Sequence, residues 1–240
     1  MGQIIEVLER YEIPDIPNIA LPEEDGEPLE SNWHRLQINL LDDIVRQQWR
    51  DRQDFFAGGN MFVYYSLQQA RNRDYKGPDF FVVKSVDGSY PRNKWVAWEE
   101  NGRLPDLIIE LMSPSTMDED LGSKRRLYEQ TFRTPEYFCY DPDAQQLLGW
   151  RLNETKYVRI KPDQQGRLWS QKLDAFIGIW EGAYHNEPGA WLRLFDKAGH
   201  LIPNASETEH NRAEVERQRA ETAEAELTRL REELARLKGK

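Results

Sequence analysis

The run Leu104-Pro-Asp-Leu-Ile-Ile-Glu-Leu-Met112 limits the possible folds more than any other feature of the chain. It is the most apolar stretch of the 240 residues, interrupted only by Asp106 and Glu110 and closed by Ser113-Pro114. Read as a strand, it places Asp106, Ile108, Glu110 and Met112 on one face and Leu107, Ile109 and Leu111 on the other. A carboxylate inside such a run is costly unless it is paired or bound to something. Glu110 therefore needs a partner. On position alone, an edge strand facing water or a salt bridge to an arginine would serve as well as a functional role.

The neighbouring segments set this strand in an α/β context. Residues 1–30 hold Pro14, Pro17, Pro22 and Pro28 in an acidic stretch that neither helix nor strand can run through. Ser31 or Asn32 can cap a helix whose apolar positions Leu36, Leu40, Leu41, Ile44, Val45 and Trp49 recur at helical spacing, ending near Arg52. Residues 61–66 and 79–84 read as strands. Thr116 and Glu119 have the spacing of a capping box, which starts a helix running to about Phe132. Further strands are predicted at 137–140 and near 146–152, 156–160, 175–180 and 191–195. That order implies an α/β domain with a mixed sheet over 31–204.

From Glu207 the chain changes character. Ala213, Ala220, Ala223, Leu227, Leu230, Leu234 and Leu237 step by three and four, broken at Glu216. Charge pairs such as Glu214–Arg217, Glu216–Arg219, Glu226–Arg229 and Glu232–Arg236 run beside them. This heptad seam predicts a long helix over 205–240 that associates as a coiled coil and makes the protein a homo-oligomer. The plainer reading is a solvated helix docked on its own domain.

Composition narrows the chemistry. Eight Trp, ten Tyr and nine Phe can fill a core, which a disordered chain could not do. One cysteine excludes an intramolecular disulfide and a multi-cysteine zinc site, and four scattered histidines argue against a histidine metal site. Any bound metal is expected to take oxygen ligands, as Mg²⁺ or Mn²⁺ does. No apolar run reaches the ~18 residues of a membrane helix. The N-terminal residues lack the basic-then-apolar pattern of a secretory signal. The expectation is a cytoplasmic protein. A net charge of −10 speaks against binding nucleic acid by bulk attraction.

Asp106 and Glu110 lie ~13 Å apart along one strand and cannot share an ion. Asp79, opening its strand after Gly77-Pro78, would stand ~5 Å from Glu110 if the two strands were neighbours. Otherwise it is an ordinary turn aspartate. Lys124 falls on the apolar stripe of its helix with Leu121 and Tyr128. It could deliver an ammonium above the carboxylates, snorkel to water, or pair with Asp120 four residues back. An Asp, a Glu and a Lys in this order form the skeleton of metal-dependent phosphodiester hydrolysis. As spacing alone the signal is weak. Tyr128 and Asp106 are possible pocket residues. The basic residues Arg71, Arg73, Lys76, Arg125 and Arg126 could contact phosphates or be solvated loop charges. His34 reads as a helix-surface residue, Lys84 points away from the face of Asp79, and Cys139 reads as core.

The segments Gly77-Pro-Asp-Phe-Phe-Val-Val83, Pro105 to Thr116, Asp120 through Lys124 to Tyr128, and Pro135-Glu-Tyr-Phe-Cys-Tyr-Asp-Pro142 resemble the Uma-two family of restriction endonucleases, within the PD-(D/E)XK nuclease superfamily. The resemblance covers roughly residues 30–200 and is most specific from Pro105 to Pro142. It implies a restriction-endonuclease-like mixed central sheet flanked by helices, with DNA as substrate and Mg²⁺ (or Mn²⁺) as cofactor. It assigns Asp79 and Glu110 as acidic metal ligands, with the Leu111 carbonyl completing the shell. The superfamily's lysine position two residues after the acid is Met112 here. The resemblance moves that lysine to Lys124 on the following helix. The competing reading is a binding module with weak or lost activity that oligomerises through its C-terminal helix.

Overall fold

A computed structural model describes Leu21, residues 31–72 and residues 77–238. The expected irregular segment 1–30 lies, apart from Leu21, outside the described residues. In chain order the elements are α1 (Asn32–Gln48), β1 (Phe55–Gly58), β2 (Val63–Tyr64), α2 (Leu67–Asn72), β3 (Phe80–Lys84), β4 (Trp95–Val96), β5 (Leu107–Leu111), α3 (117–132), β6 (Glu136–Asp141), β7 (Gln146–Asn153), β8 (Lys156–Arg159), β9 (Leu168–Ser170), β10 (Ala175–Tyr184), β11 (Glu187–Phe195) and α4 (Ala205–Lys238).

Six strands form a mixed sheet in the order β1-β3-β5-β6-β7-β8. Within it only β5 and β6 run parallel, and α3 makes the crossover between them. The remaining pairs are antiparallel. β5 is central and buried at every position, as its composition requires of a strand covered on both faces. Odd-numbered residues of β5 pack with α1 and the β9–β11 sheet around Leu40, Ile44, Leu168 and Trp191. Even-numbered residues face α3, with Phe81, Tyr128, Tyr137 and Cys139 around them. The sheet thus separates two apolar layers, and Glu110 belongs to the α3 layer.

Ser31 caps α1, its Oγ accepting from the His34 amide at 3.2 Å. The helix buries the expected stripe but stops at Gln48 rather than Arg52. The capping box expected at the start of α3 is not formed. Thr116 makes no side-chain cap bond, and its Oγ1 instead accepts from the Ser113 amide at 3.1 Å. The α3 segment alternates α-helical turns with two wider π-helical stretches, Asp120–Lys124 and Tyr128–Phe132. Arg133, in the left-handed conformation at φ 52°, ends it.

The base of α4 is tied to the domain. Asn204 Oδ1 accepts from the Glu207 amide at 2.8 Å, and Glu207 Oε2 accepts from the Asn204 amide at 2.9 Å. The buried Arg193 reaches Glu207 at 2.6 Å. Beyond this first turn the helix is solvated. Leu227, Leu230, Leu234 and Leu237 are 49–70% exposed. Of the expected charge pairs, Glu214–Arg217 and Glu216–Arg219 close at 2.6 and 3.1 Å. Among the described residues no helix is long and apolar enough to cross a membrane.

Candidate active site

The antiparallel register of β3 and β5 pairs Phe80 with Ile109, so Asp79, one residue earlier, comes level with Glu110, one residue later. Two hydrogen bonds fix this step. The Asp79 amide donates to Glu110 Oε2 at 3.3 Å, and the Leu111 amide donates to Asp79 Oδ2 at 2.7 Å. The two carboxylates expected from different strands therefore lie side by side where two adjacent interior strands of the sheet meet.

The wall above them is α3. Lys124 Nζ lies 3.3 Å from Glu110 Oε2 and 2.8 Å from Asp120 Oδ1. The Tyr128 hydroxyl donates to Glu110 Oε1 at 2.8 Å. Asp120, Lys124 and Tyr128 are each four residues apart. In a regular α-helix of 3.6 residues per turn such a series drifts ~40° per step. The π-helical stretches hold more residues per turn, offset that drift and keep all three over Glu110.

Glu110 is fully buried and Asp120 nearly so, whereas Asp79 is part-buried and Lys124 keeps 15% of its side chain exposed. Three carboxylates thus surround one ammonium. Burial pushes Glu110 up to about 7, with Lys124 opposing and the Asp79 charge reinforcing the shift. Burial likewise raises Asp79 to about 6, again opposed by Lys124. Asp120 rises to about 6 through burial and the Glu110 charge. The carboxylates hold Lys124 protonated far above its ordinary range, although burial opposes them.

Asp120 does not stand out in the sequence as a site residue; its spacing marks it only as a helical partner of Lys124. Its buried oxygens meet little besides the Lys124 ammonium, 2.8 Å from Oδ1. Orphaned carboxylate oxygens are rare. Together with the charge imbalance they suit a cation with hard oxygen ligands. Among the described residues no three His, Cys, Asp or Glu side chains form a ready-made cation cage. Mg²⁺ does not require one, since it is commonly held by one or two carboxylates and keeps several waters. The residues present fit such an ion.

The other expected residues fall elsewhere. Asp106 does not join the cluster. It sits at the opposite end of β5, accepting from the Lys84 amide at 2.9 Å and paired with Arg103 and Lys172 at 3.1 Å each. Strand alternation puts it on the face of Glu110 but cannot bring the two ends of the strand together. Arg125 packs its guanidinium over the Trp150 ring, 5.3 Å from the centroid. Arg73 and Lys76 lie outside the described residues. His34 is buried rather than on the helix surface. Its Nε2 is 3.0 Å from the Leu111 carbonyl, and its Nδ1 is 2.9 Å from Ser31 Oγ. The Leu111 carbonyl expected on a metal thus already has a partner on one of its two lone pairs. Lys84 donates to the Lys172 carbonyl, away from the cluster, and Cys139 is buried beside Glu110 in the β5–β6 register.

Gly59 carries no signal in the sequence, yet it sits against the site. A Cβ there would stand 2.1 Å from the Asp79 carbonyl oxygen and 2.5 Å from Ile38 Cγ2. Asn60 donates its amide to that same carbonyl at 3.1 Å. Gly59→Ala is expected to force Asp79 out of register with Glu110, costing ~1–3 kcal/mol of stability by overpacking. A urea melt reads this effect, and an unchanged variant would show that Asp79 does not depend on this contact.

Two sheet-borne carboxylates opposed by a helix-borne lysine define an α/β protein with an acidic, cation-fitting centre. The profile of the Uma2 family, described as "Putative restriction endonuclease", matches residues 6–180. The chain belongs to that family, which makes its class that of a nuclease. The match runs from before α1 into β10, includes every residue of the cluster, and leaves β11 and α4 outside. The chain is also similar to a solved structure from Anabaena variabilis ATCC 29413, described as "a putative nuclease belonging to DUF820". The two share 15% identity over 61% of this chain and 76% of that one, with a TM-score of 0.42. No curated protein matches the chain.

Proposed function

We propose that the protein is a Mg²⁺- or Mn²⁺-dependent endonuclease that hydrolyses phosphodiester bonds in DNA. The observation that carries this reading is the largely buried cluster of three carboxylates with a single lysine to balance them. Asp79 and Glu110 would hold the ion, with the second lone pair of the Leu111 carbonyl as a further donor and Asp120 balancing Lys124 beside them. The ion supplies a water of lowered pKa and a polarised phosphoryl oxygen.

The chain's own groups do the rest. Lys124 stays an ammonium at any working pH and offsets negative charge developing on the phosphate oxygens. Tyr128 holds the Glu110 carboxylate in one rotamer through its hydroxyl. Asp79 fixes the Leu111 amide, so the strand edge facing the substrate is rigid. The aliphatic and aromatic layer behind Glu110, with Met112, Tyr137 and Cys139, keeps water from the rear of the cluster and strengthens each charge interaction there.

The test is nicking of supercoiled plasmid with Mg²⁺ or Mn²⁺, with chelator as blank and Asp79→Asn and Asp120→Asn alongside. Nicking that needs the metal and both aspartates supports the reading. Equal nicking by all three proteins would sink it.

The exposed leucine seam of α4 favours one addition, that the protein works as a homo-oligomer joined through 205–240. Deleting residues 210–240, which spares the Asn204–Glu207 cap, is expected to lower the mass seen by light scattering. An unchanged mass would remove the coiled coil from the proposal. A cytoplasmic setting belongs to the same reading.

A further inference from the structure

The parallel strands β5 and β6 both run out into a cavity of about 420 Å³. Trp33 and His34 of α1 line it, with Ser113 just past β5, Pro142 and Asp143 just past β6, and Gly189 of β11. The carboxyl ends of parallel strands are where open α/β sheets bind ligands. The cavity is separate from the carboxylate cluster but mechanically joined to it. His34 is bonded to the Leu111 carbonyl, while the Leu111 amide is held by Asp79. Ser113, three residues past Glu110, is ~10 Å along the strand direction.

The lining says what kind of group fits. It contains no Lys or Arg, so it offers no counter-charge to a phosphate. Trp33 is half-buried, stacked on Trp191 with ring centroids 5.9 Å apart and planes inclined by 20°. Tyr140 and His34 also pack on this ring, with centroids 5.9 and 5.3 Å away, and the part of Trp33 left on the cavity gives it aromatic surface, to which Pro142 adds apolar area. The exposed Asp143 and the Ser113 hydroxyl, which already meets Ser115 and Thr116, place a few polar atoms at the rim, while both His34 ring nitrogens are taken up by Leu111 and Ser31. The Trp191 indole N–H is buried without an acceptor among the described residues, and it lies 3.6 Å from where a Cβ on Gly189 would stand. A flat, uncharged heterocycle with hydrogen-bonding edges matches this combination of stacking surface and sparse polar groups. A base held in a duplex cannot enter a concave site of this kind, but an unpaired or flipped base can.

We infer that this cavity is a subsite for an unpaired nucleobase of the substrate strand, a few nucleotides from the phosphate presented to Asp79 and Glu110. The inference rests on the nuclease reading and adds a preference for single-stranded or locally opened DNA over intact duplex.

Binding is measured in chelator, so that no turnover intervenes, with a short fluorescein-labelled single-stranded oligodeoxynucleotide and the fully paired duplex of the same sequence. Trp33→Ala is expected to weaken single-strand binding by roughly tenfold or more, the usual loss of one stacked base. Trp33→Phe should recover most of that loss. Gly189→Leu tests the site without touching Trp33. A Cβ there meets nothing closer than 3.6 Å, so the longer side chain has room to grow into the cavity and should also weaken single-strand binding. Circular dichroism confirms that each variant is folded. Duplex binding should not respond to any of them. Single-strand affinity unchanged in both Trp33→Ala and Gly189→Leu, or an equal loss for single strand and duplex, would overturn the subsite. Metal-dependent cleavage is scored separately. Cleavage with no response at Trp33 or Gly189 removes the subsite and leaves the nuclease. Base-dependent binding without metal-dependent cleavage removes the nuclease and leaves the pocket.

Discussion

Lys124→Ala is expected to destabilise the protein by ~3–5 kcal/mol near pH 8, the usual cost of removing one partner from a buried ion pair. The loss should be much smaller near pH 5. Among the described residues Lys124 is the one cation within 3.3 Å of Glu110 and Asp120. Without it, three carboxylates face one another with their water stripped away. All three already titrate high, Glu110 at about 7 and Asp79 and Asp120 at about 6. A carboxylate whose folded pKa exceeds its unfolded value binds more protons folded than unfolded between the two values. Its contribution to stability therefore falls as pH rises through that window and stays low above it. In the wild type the window runs from about 4 to about 7. Removing the ammonium raises the folded values further and stretches the window upward, so the deficit is full near pH 8. Near pH 5 the carboxyls are largely neutral in both proteins, and the loss reduces to packing of the lysine stem. Urea denaturation at the two pH values measures this. Equal losses at both would mean that Lys124 contributes by packing rather than by charge.

Glu110→Gln is expected to act in opposite directions on activity and stability. Metal-dependent cleavage should fall by roughly 10³-fold or more, because the central acid of the charge-stabilising site is gone. Stability without metal near pH 8 should rise, by ~1–2 kcal/mol, because a buried charge beside two others has been removed. Glutamine keeps the shape of the side chain and can still accept from Tyr128. A variant that loses activity and stability together would point to a structural role for Glu110. A variant that gains stability and keeps activity would place the chemistry elsewhere.

The centre of the site is legible in the sequence because a strand's chemistry is local. An acid in an apolar run is costly wherever the strand goes, so Glu110 draws notice before any fold is known. The step to Asp79 needs only that the two strands be neighbours, which the antiparallel register supplies. Lys124 and Tyr128 are legible as one helical stripe. Asp120 is not, because an Asp four residues before a Lys reads as an ordinary surface pair. Its meaning depends on the π-helical turns that rotate it inward, and those leave no mark in composition. Asp106 fails for the opposite reason. Alternation gives the face of a side chain, not the tertiary partners at each strand end, and Lys172 and Arg103 claim it. His34 is misplaced by its helical position because its burial comes from contact with Leu111, 77 positions away. Short strands such as β1, β4 and β9 carry too few residues to show a period.

The proposed chemistry requires the acidic cluster to hold a divalent cation. Calorimetric titration of Mn²⁺ into the wild type and into Glu110→Gln, without nucleic acid, measures this directly. The predicted result is saturable binding to the wild type with release of protons, since ligands near about 6 to 7 must ionise to bind, and loss of that binding in Glu110→Gln. Identical binding curves for the two proteins would contradict the proposal, as would the absence of saturable binding to the wild type.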